Sequence, residues 1–222
     1  METERSHLDD RLLTAAACVR PGKVVADIGC DHGKLAIHLA KEGKNPRIIG
    51  ADLRPEPLAR AAGNLKKAGC EEKVELRLGD GLTVLAPGEA QDIILAGMGA
   101  QTIIQLLEAA PWVMDSEIRL VLVPATKHTL LRLWLARQGF VLDKDIPVRA
   151  AGRLYAVMNA RYTGEKREPE LDWCIAGQTS GPLAGEYLTG QLVKLRKYCR
   201  GVKDPARLEQ LEGLLARLEE RL

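Results

Sequence analysis

Apolar positions fall into short blocks separated by turn-forming residues, and their period changes along the chain. Leu8, Leu12, Leu13, Ala16 and Ala17 recur at helical spacing over residues 6–18, ending before Pro21-Gly22. From there the pattern alternates. Apolar runs over Lys23–Ile28, Arg47–Asp52, Lys73–Leu78, Asp92–Leu95 and Arg119–Val123 predict strands. Amphipathic stretches between and after them predict helices over His32–Glu42, Pro55–Gly69, from Gly99 through Ala109, and over Thr126–Gln138. Asp31 has the residue type of an N-cap for the helix that follows it, and Gly69 closes the next one. Val141–Val148 and Arg153–Arg161 read as a terminal antiparallel pair around Ala150-Ala151-Gly152.

Strands alternating with helices predict an α/β fold: a mostly parallel sheet, made mixed and seven-stranded by the last pair, with helices on both faces. The turns at 29–33, 52–54, 79–81 and 97–99 all follow predicted strand ends, the edge along which open α/β sheets bind ligands. Past residue 163 the composition changes. Thr163–Pro169 is charged and linker-like, and Gly177–Gly185 is rich in small residues. Two further helices are predicted, Glu186–Arg200 with Leu188, Leu192, Leu195 and Cys199, and Pro205–Leu222 with Leu208, Leu211, Leu215, Leu218 and Leu222. These near-heptad seams predict an antiparallel, coiled-coil-like helical hairpin. The expected division is a cofactor-binding domain over 1–163 and a linker with hairpin over 164–222.

With 222 residues and 46% of them apolar, the chain can fill one α/β core and carry an appendage. A net charge of +2 neither demands nor excludes nucleic acid. Five widely spaced cysteines without a C-x-x-C pair argue against a zinc site or disulfide framework and for a reducing cytoplasm. Met1–Arg5 leads into a charged helix rather than an apolar signal segment, and no apolar run is long enough for a membrane span. The expectation is a cytoplasmic protein with no metal and no membrane partner, a monomer or weak dimer.

The most informative segment is Asp27-Ile28-Gly29-Cys30-Asp31-His32-Gly33. A strand feeding a glycine turn and a helix is a nucleotide-loop pattern, but a dinucleotide loop sets a pyrophosphate on the helix N-terminus, where Asp31 would repel it. S-adenosyl-L-methionine carries no phosphate and two cationic centres, so it suits this acidic turn. Gly29 lets the backbone lie against the cofactor, with Cys30 beside it, and Asp27 can reach an ammonium or organise the loop. Asp52 ends a strand a little over twenty residues after Gly29, the spacing for an acid that accepts ribose hydroxyls, with Leu53 next to it. That spacing also suits NAD, so a nicotinamide oxidoreductase stays open. Asp80, between Gly79 and Gly81, can accept from an adenine amino group or simply form an Asx turn. Gly97-Met98-Gly99 allows close approach of a planar substrate or a reactive sulfonium, or a tight helix entry. Asp31 either caps a helix or faces the methyl acceptor; His32 is a base, a substrate contact or a solvent-facing residue. Lys194, Arg196, Lys197, Arg200 and Lys203, with Tyr198 among them, suit phosphates or a solvated helix face. Joined to Lys127, His128, Arg132 and Arg137, they would make a surface of tRNA size.

Taken in order, Leu8-x-x-Arg11-Leu12, Ala26-Asp27-Ile28-Gly29-x-Asp31-His32, Gly79-Asp80-Gly81-Leu82, Ala96-Gly97-Met98-Gly99, Leu131-x-x-Trp134-Leu135 and Leu154-Tyr155 form a set. On these motifs, over roughly residues 8–160, the chain resembles the bacterial tRNA (adenine-N1) methyltransferase family that modifies adenine 22 of the D-arm. The resemblance implies a Rossmann-like class I methyltransferase domain, S-adenosyl-L-methionine as donor, tRNA as acceptor and a helical C-terminal appendage. It implies that Asp27, Gly29, Asp31, Asp52, Asp80, Gly97, Met98 and Gly99 line the site. For direct in-line transfer to adenine N1, Asp31 and Met98 are the expected catalytic residues, and Tyr155 would stack on the extruded base. Arg11, His32, Lys127, Arg132, Lys194, Arg196, Lys197 and Arg200 are the expected RNA contacts. The chain departs from the family at Val123-Pro124-Ala125, where Gln-Pro-Asn is usual, and at Cys30–Ala36, where the loop usually reads Ser-Asp-His-Ala-Tyr-Leu-Pro. Methylation of another base or a small molecule, and a non-catalytic, cofactor-binding protein that binds RNA or a partner without turnover, stay open as alternatives.

Overall fold

Alternate residues of the central strands face opposite sides of the sheet, and both sides are covered. A computed structural model describes residues 8–222; Met1–Arg5 and the start of the first helix at residues 6 and 7 lie outside the described residues. The elements run α1 (Asp10–Ala16), β1 (Val25–Ile28), α2 (Lys34–Glu42), β2 (Ile48–Asp52), α3 (Pro55–Ala68), β3 (Val74–Leu78) and β4 (Asp92–Ala96). They continue with α4 (Ala100–Glu108), β5 (Arg119–Val123), α5 (His128–Gln138), β6 (Phe140–Ala150), β7 (Arg153–Tyr162), α6 (Leu171–Ala176), α7 (Ala184–Cys199) and α8 (Pro205–Glu219). One seven-stranded sheet has the order β3-β2-β1-β4-β5-β7-β6. Strands β1 to β5 pair in parallel, and β7 is antiparallel to both β5 and β6. The order reverses between β1 and β4, which opens a crevice at their C-terminal ends.

Ala26, Ile28, Ile93, Leu95, Leu120 and Leu122 pack with Ile103, Leu107, Leu131 and Leu135 of α4 and α5. On the other face Val25, Ile48, Ile94, Val121 and Val123 pack with Ala15, Leu35, Leu39 and Leu65 of α1, α2 and α3. These two apolar layers hold the strand ends, and hence the loops, in fixed relation.

Several local expectations are corrected. Asp31 is not an N-cap: its φ is +48°, α2 starts at Lys34, and Gly33 occupies the cap position with φ +70°. The helix expected from Thr126 starts at His128, because Lys127 has φ +58°. A short helix, α6, falls between the linker-like and small-residue stretches, where no element is expected. In α8 the buried seam is Leu211, Leu214 and Leu218, while Leu222 lies exposed past the helix end.

The segment after residue 163 is fastened to the sheet. Arg132 of α5 is fully buried; its guanidinium donates to both oxygens of Asp145 in β6 (2.9 and 3.0 Å) and to the Cys174 and Ile175 carbonyls of α6 (3.1 and 3.3 Å). Tyr187 of α7 is fully buried within the core layer of α4 and α5. The hairpin α7–α8, closed by Asp204 capping Ala206 N (3.2 Å), has its own small core with Ile175 and Ala176.

Candidate active site

The loops after β1, β2, β3 and β4 close around a cavity of about 610 Å³ at the reversal point of the sheet. The first loop is fastened to β2, since Gly29 N and Cys30 N both donate to Ala51 O (2.8 and 2.9 Å). Gly29 has φ +77°, and a Cβ there would stand 3.1 Å from Met98 Cε. Only glycine combines that backbone with so close a pass of the β4–α4 loop. The β4–α4 loop is tied in turn to the end of β5. Gly97 N donates to Val123 O (3.1 Å), and Ala125 N donates to Met98 O (2.8 Å). Gly97, at φ +82°, supplies the reversal that points Met98 toward Gly29.

Four carboxylates line the cavity, those of Asp27, Asp31, Asp52 and Asp80, and they stand in different surroundings. Asp27 is 4% exposed, and burial, then the nearby Asp52, pushes its pKa up to about 7. Asp52 accepts from Asp31 N (3.2 Å) on one oxygen and from Arg54 N (2.9 Å) on the other, so its plane is fixed while each oxygen retains acceptor capacity. Asp80 gives its side chain to no cap; its backbone carbonyl holds the turn by accepting from Thr83 N and Oγ1 (3.1 and 2.6 Å). The Asx-turn explanation therefore does not hold for Asp80. Gly79 and Gly81 flank it on the same wall, and Leu53, 63% exposed, offers an apolar face at the mouth. Burial pushes the Cys30 thiol up to about 12, which leaves it an inert part of the wall.

At the cavity rim Asp31 Oδ2 pairs with His32 Nδ1 (2.5 Å), and Arg60 lies 3.4 Å from His32 Nε2. Arg11 of α1 reaches the same cavity and sets its guanidinium 5.1 Å from the centroid of Tyr155. Tyr155 itself lines a second cavity of about 840 Å³, walled by the β5–α5 loop, the β6–β7 turn and α7. Arg11 and Tyr155 thus stand between the two.

The cations divided sharply. Lys127 and Lys194 line the second cavity. Lys197 of α7 and Arg200 at its C-terminal cap are exposed, and Arg196 is spent on Glu219 of α8 (2.6 Å). Arg132 is corrected: it is not an RNA contact, because it is enclosed and fully hydrogen-bonded by Asp145 and the α6 carbonyls. His128 is buried too, between Tyr187 Oη (2.9 Å) and Pro124 O (3.1 Å). Arg137 pairs with Glu168 (2.5 Å). The sequence reading missed Thr102 and Leu106 of α4 in the first cavity, and Arg149, Arg153 and Glu186 in the second. The only signal for the arginines was their position on either side of the β6–β7 turn.

A deep acid beside a fixed acid, with a third across an apolar ledge, suits a cationic, phosphate-free nucleoside. A pyrophosphate would face the Asp31 and Asp52 carboxylates where it needs amide donors. Among the described residues no group of three or more His, Cys, Asp or Glu is gathered closely enough to hold a metal ion, and no helix is long and apolar enough to cross a membrane.

Known proteins agree with this architecture. A family model described as a methyltransferase domain matches residues 8–158. The tRNA (adenine(22)-N(1))-methyltransferase of Bacillus subtilis (strain 168) is 33% identical over 181 residues, 82% of this chain and 74% of that protein. The crystal structure of the B. subtilis m1A22 tRNA methyltransferase TrmK superposes with a TM-score of 0.78 at 26% identity, covering 97% of this chain and 95% of that one. A Streptococcus pneumoniae protein solved in complex with S-adenosyl-L-methionine shares the fold, with a TM-score of 0.82 at 23% identity over 96% of this chain and 99% of that one. The chain belongs to the methyltransferase-domain family and, within it, to the family of tRNA (adenine(22)-N(1))-methyltransferases.

Proposed function

We propose that this protein methylates N1 of adenine 22 in tRNA, in the cytoplasm, with S-adenosyl-L-methionine as donor. The observation that carries the reading is the convergence of Asp27, Asp52 and Asp80 on one cavity in a chain of this family. When bound, S-adenosyl-L-methionine supplies a methyl group made electrophilic by its sulfonium. Asp52 binds the two ribose hydroxyls, Asp80 takes the adenine amino group, and Leu53 covers the adenine face. Asp27 supplies the countercharge for the amino-acid ammonium.

Adenine N1 already carries a lone pair, so no residue has to remove a proton before attack. The chain's contribution is placement and field. Gly97, Met98 and Gly99 hold the acceptor edge close to the methyl group, Tyr155 stacks on the extruded base, and Asp31 steadies the positive charge that the base acquires. Residues 1–163 carry the chemistry, and 164–222 extend the surface that meets RNA through Lys194, Lys197 and Arg200.

The test is incubation with labelled S-adenosyl-L-methionine and an unmodified tRNA transcript, followed by nucleoside mass spectrometry. The expected product is 1-methyladenosine, absent when adenine 22 is replaced by guanine. Label on any other nucleoside, or none at all, overturns the reading.

A further inference from the structure

The second cavity is larger than the first, at about 840 Å³, and its charge is unbalanced: Lys127, Arg149, Arg153 and Lys194 face it with Glu186 as the sole carboxylate. These groups come from three separate places, the β5–α5 loop, the two sides of the β6–β7 turn, and α7. Lys127 donates only to the neutral Gln101 amide (2.7 Å), which leaves its charge uncompensated. Arg153 and Lys194 meet no carboxylate among the described residues. Arg149 is the exception, since it pairs with Glu186 across the gap between the hairpin strand and α7. Tyr155 lines this cavity, and Arg11, its guanidinium 5.1 Å from the Tyr155 ring centroid, lines the first cavity.

We propose that this second cavity is a phosphodiester subsite, in which the RNA strand next to the target nucleotide lies against Lys127, Arg153 and Lys194 and displaces Glu186 from Arg149. The inference rests on the tRNA reading above and adds a site to it. Three uncompensated cations around one concavity attract a polyanion, and a phosphate is a bidentate partner for the Arg149 fork as good as the carboxylate it replaces. Glu186 thereby acts as an internal competitor: it holds Arg149 and α7 together without RNA and opposes the strand until a phosphate takes its place. A base held next to Tyr155 has its backbone within the reach of these cations, so the subsite fixes the strand while the base enters the cofactor cavity.

Two opposite effects test the proposal. Affinity of unmodified tRNA transcript is measured over a salt series for the full-length protein, the Arg153→Ala/Lys194→Ala variant and Glu186→Gln. The double variant should bind more weakly, with the slope of log Kd against log salt flatter by about 1.5, since each phosphate contact contributes about 0.7–0.9. Glu186→Gln should bind more tightly than the unaltered protein, a gain that misfolding does not produce. S-adenosyl-L-homocysteine affinity should be the same in all three. If the unaltered protein neither binds nor methylates tRNA, the functional reading fails. If it does both, yet the double variant keeps the full slope or Glu186→Gln fails to tighten binding, the subsite is overturned.

Discussion

Burial, and after it the neighbouring carboxylate of Asp52, holds the pKa of Asp27 near neutrality. Because the folded value of about 7 lies above the ordinary 3.8, the native state holds more protons than the unfolded chain between those limits. Stability without ligand should therefore fall as pH rises through that window and level off above it. A bound ammonium reverses the preference and draws the proton off. Affinity for S-adenosyl-L-methionine should rise from pH 6 to pH 8, with proton release visible as a buffer-dependent binding enthalpy. Asp27→Asn should flatten both. Asp52→Ala removes charge-assisted hydrogen bonds worth about 1.5–3 kcal/mol, so calorimetry should register a loss of roughly ten- to hundredfold in cofactor affinity. At this scale the sequence was most legible where acid and glycine sit on a strand-end turn, as at Gly29, Asp52 and Asp80. It was least legible at Asp31, where residue type suggested a cap but a positive φ and Gly33 took the backbone elsewhere.

The alternation of strand and helix was readable because each block buries one face and repeats at its own period. Helix α6 was not, since six residues give too little of a period, and its place depends on a partner distant in sequence. That partner is Arg132, whose charge made it look like surface. Its ion pair with Asp145 also accounts for Gly177: a Cβ there would fall 2.2 Å from Asp145 Oδ2. Arg132→Ala would strand Asp145 in the interior and free two α6 carbonyls. The expected cost is about 3–5 kcal/mol, a drop in melting temperature of roughly 10 °C by calorimetry. His128 binds α5 to α7 in the neutral form. Its imidazole meets a carbonyl at Nε2, so Nε2 donates and Nδ1 accepts from Tyr187 Oη. Burial, then Arg132 and Lys194, lowers its pKa to about 4 from 6.5. The unfolded chain thus binds the extra proton between those values. This contribution to stability should be complete above pH 6.5 and disappear as pH falls toward 4, and His128→Gln should remove that part of the unfolding profile.

On the scale of the whole molecule, the composition break near residue 163 marks a change of architecture without marking independence. Tyr187 fills the core layer of α4 and α5, and α6 caps the Arg132–Asp145 pair. A chain ended after residue 163 should melt well below the full-length protein, losing an aromatic worth about 3–5 kcal/mol as well as the buried caps. The first cavity was legible because its walls are four consecutive loops on one edge. The second was not, because Lys127, Arg149, Arg153 and Lys194 are scattered along the sequence and each alone resembles a solvated surface residue. Everything proposed here depends on the first cavity preferring a positively charged adenosine without phosphates. Titration calorimetry of S-adenosyl-L-methionine against NAD at pH 8 measures that preference directly. Saturable binding of the sulfonium with no heat from NAD is the expected result; tight binding of NAD, with S-adenosyl-L-methionine ignored, would contradict it.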